Sequence, residues 1–248
     1  QCGLFISEYS ESAGGNTKYL EIYNPTNEAV DLTQFAIAAV GNAPTTPGLH
    51  ESWNNFSEGA VINPGDVYVW ANGQSDAIVL AETDQTGNAY FNGNDSYALV
   101  LGTEESYTFV DIIGNFEGDP GSGWDVAGVS AGTANHTLVR KSLVTQGIGY
   151  DWASSAGTNV DDSEWIVYDA NTWDYVGSHE FTGTCGAAVP GCTNSNATNY
   201  NDAATTDDGS CTFDNACNAD GVVVTTGSLY YDPANLSIEP GVTVVWEN

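Results

Sequence analysis

The sequence predicts an all-β chain built around a sandwich, and three observations carry that prediction. Apolar and polar side chains alternate in short runs, as they do in half-buried strands. Turn residues recur roughly every eight to twelve positions. No window longer than a turn or two keeps an apolar period of about 3.6 residues, so very little helix is expected.

The elements follow in order from residues 4–35, LFISEYSESAGGNTKYLEIYNPTNEAVDLTQF. Residues 5–9 alternate as a strand. Residues 12–17 are small, polar and glycine-rich, which reads as a loop. In the next run Leu20 and Ile22 point one way while Tyr19, Glu21 and Tyr23 point the other. Asn24-Pro25 stops this strand, because proline cannot donate to a ladder. Val30 and Leu32, then Phe35 and Ile37, are the next inward pairs. Asn63-Pro64-Gly65-Asp66 has proline then glycine at its centre, the order of a type II turn, and residues 67–70 follow as a strand. Asn72-Gly73 and Asn92-Gly93 carry hairpin residues, with residues 92–95 also readable as a wider loop. Later strands are expected at residues 97–101, 109–113, 136–141 and 165–168.

Composition bounds the function. The chain has 248 residues, 41% of them apolar, and no methionine. Its 33 carboxylates against three basic side chains give a net charge of −30. That field repels nucleic acid and anionic membrane surfaces and favours solubility and divalent cations. No apolar run is long enough to insert in a membrane. A start at Gln1 without methionine is the expected look of a mature product after leader removal. Five cysteines (Cys2, Cys185, Cys192, Cys211 and Cys217) with no CxxC motif suit disulfides in an oxidising compartment. Cys2 and Cys185 stand at the two ends of the first domain, so a bridge between them is expected. Nothing catalytic stands out. His50, His136 and His179 are scattered, no GxSxG elbow occurs, and adjacent acids such as Asp161-Asp162 are commonplace in so acidic a chain.

Five stretches, in order, resemble the lamin-tail domain in its bacterial form. They are KYLEIYN at residues 18–24, Asp31-Leu32, FNGND at residues 91–95, DIIG at residues 111–114 and TLVRK at residues 137–141, with an ending near Trp173. The resemblance implies an immunoglobulin-like sandwich over residues 1–185. It implies no activity, since that module accompanies very different neighbours. Lys18, Arg140 and Lys141 all lie inside these motifs. They read as structural ion pairs with carboxylates such as Glu21, Glu8 or Asp111, with Arg140 the best candidate for a shielded pair.

Residues 186–213 form a second module. GCTNSNATNYNDAATTDDGSCTF is similar to a short repeat of secreted marine bacterial proteins. So short a segment cannot bury a core, and a Cys192–Cys211 staple, worth about 3 kcal/mol in the chain-entropy model, is expected. Asn199, Asn201, Asp202, Asp207 and Asp208 gather hard oxygen ligands suited to Ca²⁺, while a plain loop with side chains capping its turns is the simpler alternative. Residues 214–248 resemble the first strands of a cupredoxin-like sandwich, incomplete here. They contain no histidine, so no copper site exists in this segment.

The expectation is a non-catalytic structural or adhesive module of a secreted, cell-surface bacterial protein, a homo-oligomer or part of a larger extracellular assembly. The alternative is an accessory region of a secreted nuclease or phosphatase, or of a copper electron-transfer protein, whose active domain lies beyond residue 248.

Overall fold

Twelve strands are described in residues 2–186, ten of them in the two sheets of a sandwich and the third and sixth in a pair of their own. They are β1 (Phe5–Glu11), β2 (Lys18–Tyr23), β3 (Val30–Asp31), β4 (Phe35–Val40), β5 (Ser52–Asn55), β6 (Val61–Ile62), β7 (Val67–Asn72), β8 (Gln85–Gly87), β9 (Ser96–Thr103), β10 (Ser106–Ile113), β11 (His136–Arg140) and β12 (Trp165–Asp169). This computed structural model describes residues 2–186, 189–204, 206–213, 223–227, 230–232 and 245–247. The chain divides into two compact units, Gln1–Gly186 and Ala187–Asn248.

One sheet has six strands in the order β12-β11-β1-β2-β7-β8, and the other has four in the order β10-β9-β4-β5. Their facing sides share one core. Ile6, Tyr9, Leu20 and Ile22 enter it from β1 and β2, and Ile37, Leu99 and Ile112 enter from the four-stranded sheet. The alternation of residues 19–23 is realised as read: Leu20 and Ile22 face this core, while Tyr19 joins Val69, Ala71 and Val79 on the outer side. Ile6 and Tyr9 both face inward although they are three positions apart, an odd spacing that puts a flat strand's side chains on opposite faces. A bulge between Ile6 and Glu8 makes this possible by inserting Ser7 as an extra residue.

Between β3 and β4, Leu32 is buried from a 3-10 turn whose preceding Asp31 accepts the Thr33 N–H. The turn at residues 63–66 closes with an Asp66 N–H to Asn63 C=O bond, and Gly65 has φ +72°, the value that position of a type II turn demands. Among the described residues, α-helix is confined to α1 (Ala77–Ala81) and α2 (Trp152–Ala156), capped by Asp76 and Asp151.

Asn72-Gly73 is not a hairpin. The chain passes from it into α1 and returns as β8 parallel to β7, a crossover that a two-residue turn cannot make. Residues 92–95 form the wider loop, with the Asn92 and Asn42 N–H groups both held by the Asp95 carboxylate. The tight connection of the four-stranded sheet lies instead between Thr103 and Ser106, where Glu104-Glu105 joins β9 to β10. Gly102 supplies φ +132° beside it, and a Cβ there would stand 2.4 Å from Ser106 O.

In the second unit, β13 (Pro190–Gly191) and β14 (Thr206–Asp207) pair in parallel. Further on, β15 (Val223–Gly227) pairs antiparallel with β16 (Tyr230–Asp232) and parallel with β17 (Val245–Glu247). Cys217 and the Leu236, Ile238 and Pro240-Gly241 readings lie outside the described residues.

Candidate functional site

Asp111 and Arg140 form the most connected polar centre of the first unit. Asp111 sits at a bulge of β10, Arg140 at the end of β11, and both side chains are fully buried. Arg140 Nη2 donates to Asp111 Oδ2 at 2.5 Å, and the Ile6 N–H donates to the same oxygen at 2.9 Å. Oδ1 accepts the Ile112 and Ile148 N–H groups. One carboxylate therefore ties β10 to β1, to β11 and to the loop after β11. Gly147 is bare because a Cβ would stand 2.2 Å from Val110 O and 2.7 Å from Asp111 Cβ. The guanidinium also donates from Nη1 to Ser155 Oγ, which accepts Trp165 Nε1–H as well, and lies 4.2 Å from the Trp165 ring centroid. Its Nε has no hydrogen-bond partner, yet the guanidinium is at zero exposure between Asp111, Ser155 and the Trp165 ring, which fits a structural cation.

The other two cations depart from their expected partners. Lys18 pairs with Glu11 at 2.6 Å, not with Glu8 or Glu21. It shares the inner face with Leu20 and Ile22, and the bulge at Ser7 turns Glu8 to the outer face with Glu21. Lys141 makes no ion pair among the described residues. Its ammonium donates to the carbonyls of Val160 and Ser163, fastening the loop before β12.

Glu8 and Glu21 form a pair that sequence reasoning missed. They stand opposite each other in the β1–β2 register, each about 1% exposed. Residues 173–181 lie over this face. The Gly177 N–H donates to Glu21 Oε2 at 2.7 Å, His179 packs against Phe5 and Tyr23, and Trp173 and Val176 pack on the Tyr19 cluster. Ser7 Oγ donates to Glu21 Oε1, and Tyr19 Oη to Glu8 Oε1. Three buried polar atoms here, Glu8 Oε2, Trp173 Nε1 and His179 Nε2, have no partner.

Burial pushes the Glu8 carboxyl up to about 8. Glu21 is raised well above its ordinary value by burial first and by the Glu8 charge second. Burial, then the Arg140 charge, lowers His179 to about 4, so this imidazole is neutral at pH 7. Such shifts can mark catalysis, but both carboxylates are about 1% exposed. Their consequence is for stability. In the folded state Glu8 keeps a proton that the unfolded chain loses near its ordinary value of 4.5. The folded form thus binds more protons, and its stability falls as pH rises from about 4.5 to about 8. Glu8→Gln is expected to remove the Glu8 share of this decline while that of Glu21 remains, leaving the variant more stable than the parent at pH 9 and close to it at pH 4.5 in urea titrations.

The histidines do not assemble a catalytic group. His50 Nδ1 meets Tyr107 Oη at 3.1 Å, and His136 Nδ1 meets the Ala134 carbonyl at 2.8 Å. Neither contacts a serine or cysteine among the described hydrogen bonds.

Two disulfides are present among the described residues. Cys2 is bonded to Cys185, and Cys192 to Cys211. Around the second bond the Asn and Asp side chains organise turns. Asn199 donates to Ser210 C=O and accepts the Thr212 N–H. Asn201, Asp207 and Asp208 accept the N–H groups of Ala203, Gly209 and Ser210. Each uses one oxygen for this, and no other contact of Asp202 is described. Among the described residues, no three Asp, Glu, His or Cys side chains converge on a point fit for a metal.

Residues 1–114 match the family model of the lamin tail domain. The match covers β1 to β10 and ends at Gly114, so the TLVRK motif and Trp173 lie outside it. No curated protein and no solved structure matches the chain. With its two packed sheets and very little helix, the first unit is an immunoglobulin-like β-sandwich.

Proposed function

We propose that this chain is a structural or adhesive module, without catalytic work of its own, in a secreted bacterial cell-surface protein that belongs to a larger extracellular assembly. The observation that carries this reading is the Cys2–Cys185 bond, which closes a packed sandwich covalently end to end. Such bonds persist in oxidising compartments and are rare where thiols are kept reduced. The polar groups of the first unit support the same view, because the most buried of them hold strands and loops together. The cupredoxin-like reading of residues 214–248 belongs to this proposal and rests on sequence likeness.

Calcium at the Asn199–Asp208 loop is a further part of the proposal. Its support is the oxygen-rich set around the capped turns: the exposed carboxylates of Asp202, Asp207 and Asp208. The −30 charge makes close packing of copies depend on cations or salt. Light scattering on the purified chain across a salt series, with calcium or with chelator, is expected to show larger species at high salt and with calcium. A monomer under every condition removes the assembly, and a calcium response that survives Asp207→Ala removes this loop as its cause.

A further inference from the structure

A cleft of about 440 Å³ opens in the first unit between the segment after β10 and α2. It lies within the range of about 300–1,000 Å³ typical of small-molecule sites. Trp124 and Asp125 form one wall, Trp152, Ala156 and Thr158 the other, and Asn115 closes one end. Trp152 backs onto Trp165 of the ion-pair centre, but neither that centre nor the acidic outer face uses Asn115, Trp124 or Asp125.

The walls are fixed in place. The Ala127 N–H donates to Ala156 C=O at 2.8 Å and so ties the two sides together. The Trp124 N–H is held by Thr133 Oγ1, and its indole N–H reaches Asp95 C=O at 3.4 Å. The indole edge fills the space over Gly114, where a Cβ would stand 2.4 Å from Nε1. Ala127 and Ala131 hold φ values of +53° and +51°, a costly conformation for alanine, in the loop that carries Asp125. Strain of this kind gathers at binding sites.

The free hydrogen-bonding groups set the ligand chemistry. Asn115 gives Oδ1 to the Glu117 N–H, which leaves its Nδ2 donors for a ligand. Asp125 gives Oδ1 to the Ala131 N–H, which leaves Oδ2 as an acceptor. An amide donor, a carboxylate acceptor and a partly exposed indole are the complement of a pyranose. The indole covers its apolar C–H face, and the polar pair brackets neighbouring hydroxyls. No Lys or Arg lines the cleft, and the whole chain carries −30, so an acidic ligand is repelled. A quaternary ammonium wants several rings around one point, and Trp124 makes no described ring contact with Trp152 or any other aromatic.

We propose that this cleft is a binding site for a neutral saccharide, with room for one or two pyranose rings. The site does not depend on the structural role proposed above, because it binds or fails to bind whatever else the chain joins. The test follows the Trp124 indole N–H resonance of the full chain during titration. The probes are the methyl glycosides of glucose, galactose, mannose and N-acetylglucosamine, with choline chloride alongside. At least one glycoside should shift Trp124 saturably with a Kd of about 1 mM or tighter. Asn115→Asp, which keeps an acceptor for the Glu117 N–H and replaces the amide donors with a charged oxygen, should weaken it about tenfold or more. Asp125→Asn gives a second, independent variant with the same expected direction. No saturable shift with any glycoside overturns the proposal. So does a response to choline alone, or glycoside binding that neither variant weakens.

Discussion

Asp111→Ala is expected to destabilise the first unit by about 3–5 kcal/mol, the usual cost of leaving one member of a buried ion pair behind. Arg140 would keep its charge at zero exposure. The Ile6 and Ile148 N–H groups would lose their acceptor in the same step. In thermal melts this corresponds to a fall of roughly 10 °C or more for a unit of this size. Asp111→Asn, which keeps the acceptor oxygen without the charge, should cost less. The double variant Asp111→Asn, Arg140→Met should cost less than the sum of the singles, because it removes both charges together. Simple additivity would mean that the pair does not act as a unit.

Removing the Cys2–Cys185 bond should be comparably severe. Its loop spans 183 residues, and the chain-entropy model gives about 5 kcal/mol for a closure of that length. The double variant Cys2→Ser, Cys185→Ser leaves neither member of this pair as a free thiol and is the clean comparison. Unfolding free energies from urea titrations of the parent and this variant should differ by several kcal/mol without reductant and coincide in its presence, provided the reductant opens the bond fully. A loss under about 1 kcal/mol would mean that the unfolded chain is already compact enough to keep its ends together.

Much of the sandwich is legible from local pattern, and the failures have local causes. The run at residues 18–23 keeps strict alternation, so its faces can be assigned by counting. The run at residues 5–11 does not, because the bulge at Ser7 moves every later residue to the other face. A clue is present: Ile6 and Tyr9 are both large and apolar, yet a flat strand cannot point both inward. Reading that conflict as a bulge would have placed Glu8 beside Glu21 and away from Lys18. Asn72-Gly73 misleads because its residues suit a hairpin, whereas the partner of the following segment is set by sheet packing. The Glu104-Glu105 turn escapes notice because neither residue favours a turn, and the left-handed conformation is supplied by Gly102 instead. Arg140 with Asp111 is visible as a guanidinium inside an apolar strand. The Trp124–Trp152 cleft joins segments almost thirty residues apart, and no local pattern links them.

The bond between Cys2 and Cys185 also decides how the protein answers a pull along its backbone. Tension entering through residue 1 and leaving through residue 186 crosses from one chain end to the other by way of the sulfur atoms. The 183-residue span between them lies off the line of force. The sandwich then transmits load without being stretched by it, and its hydrogen bonds need not resist shear. With the bond reduced, the same pull would run through every strand in turn. Up to roughly 600 Å of chain, at about 3.3–3.6 Å per residue, would become available to extend. Oxidised, the first unit is a short inextensible link; reduced, it is a long spring with a folded core as its catch.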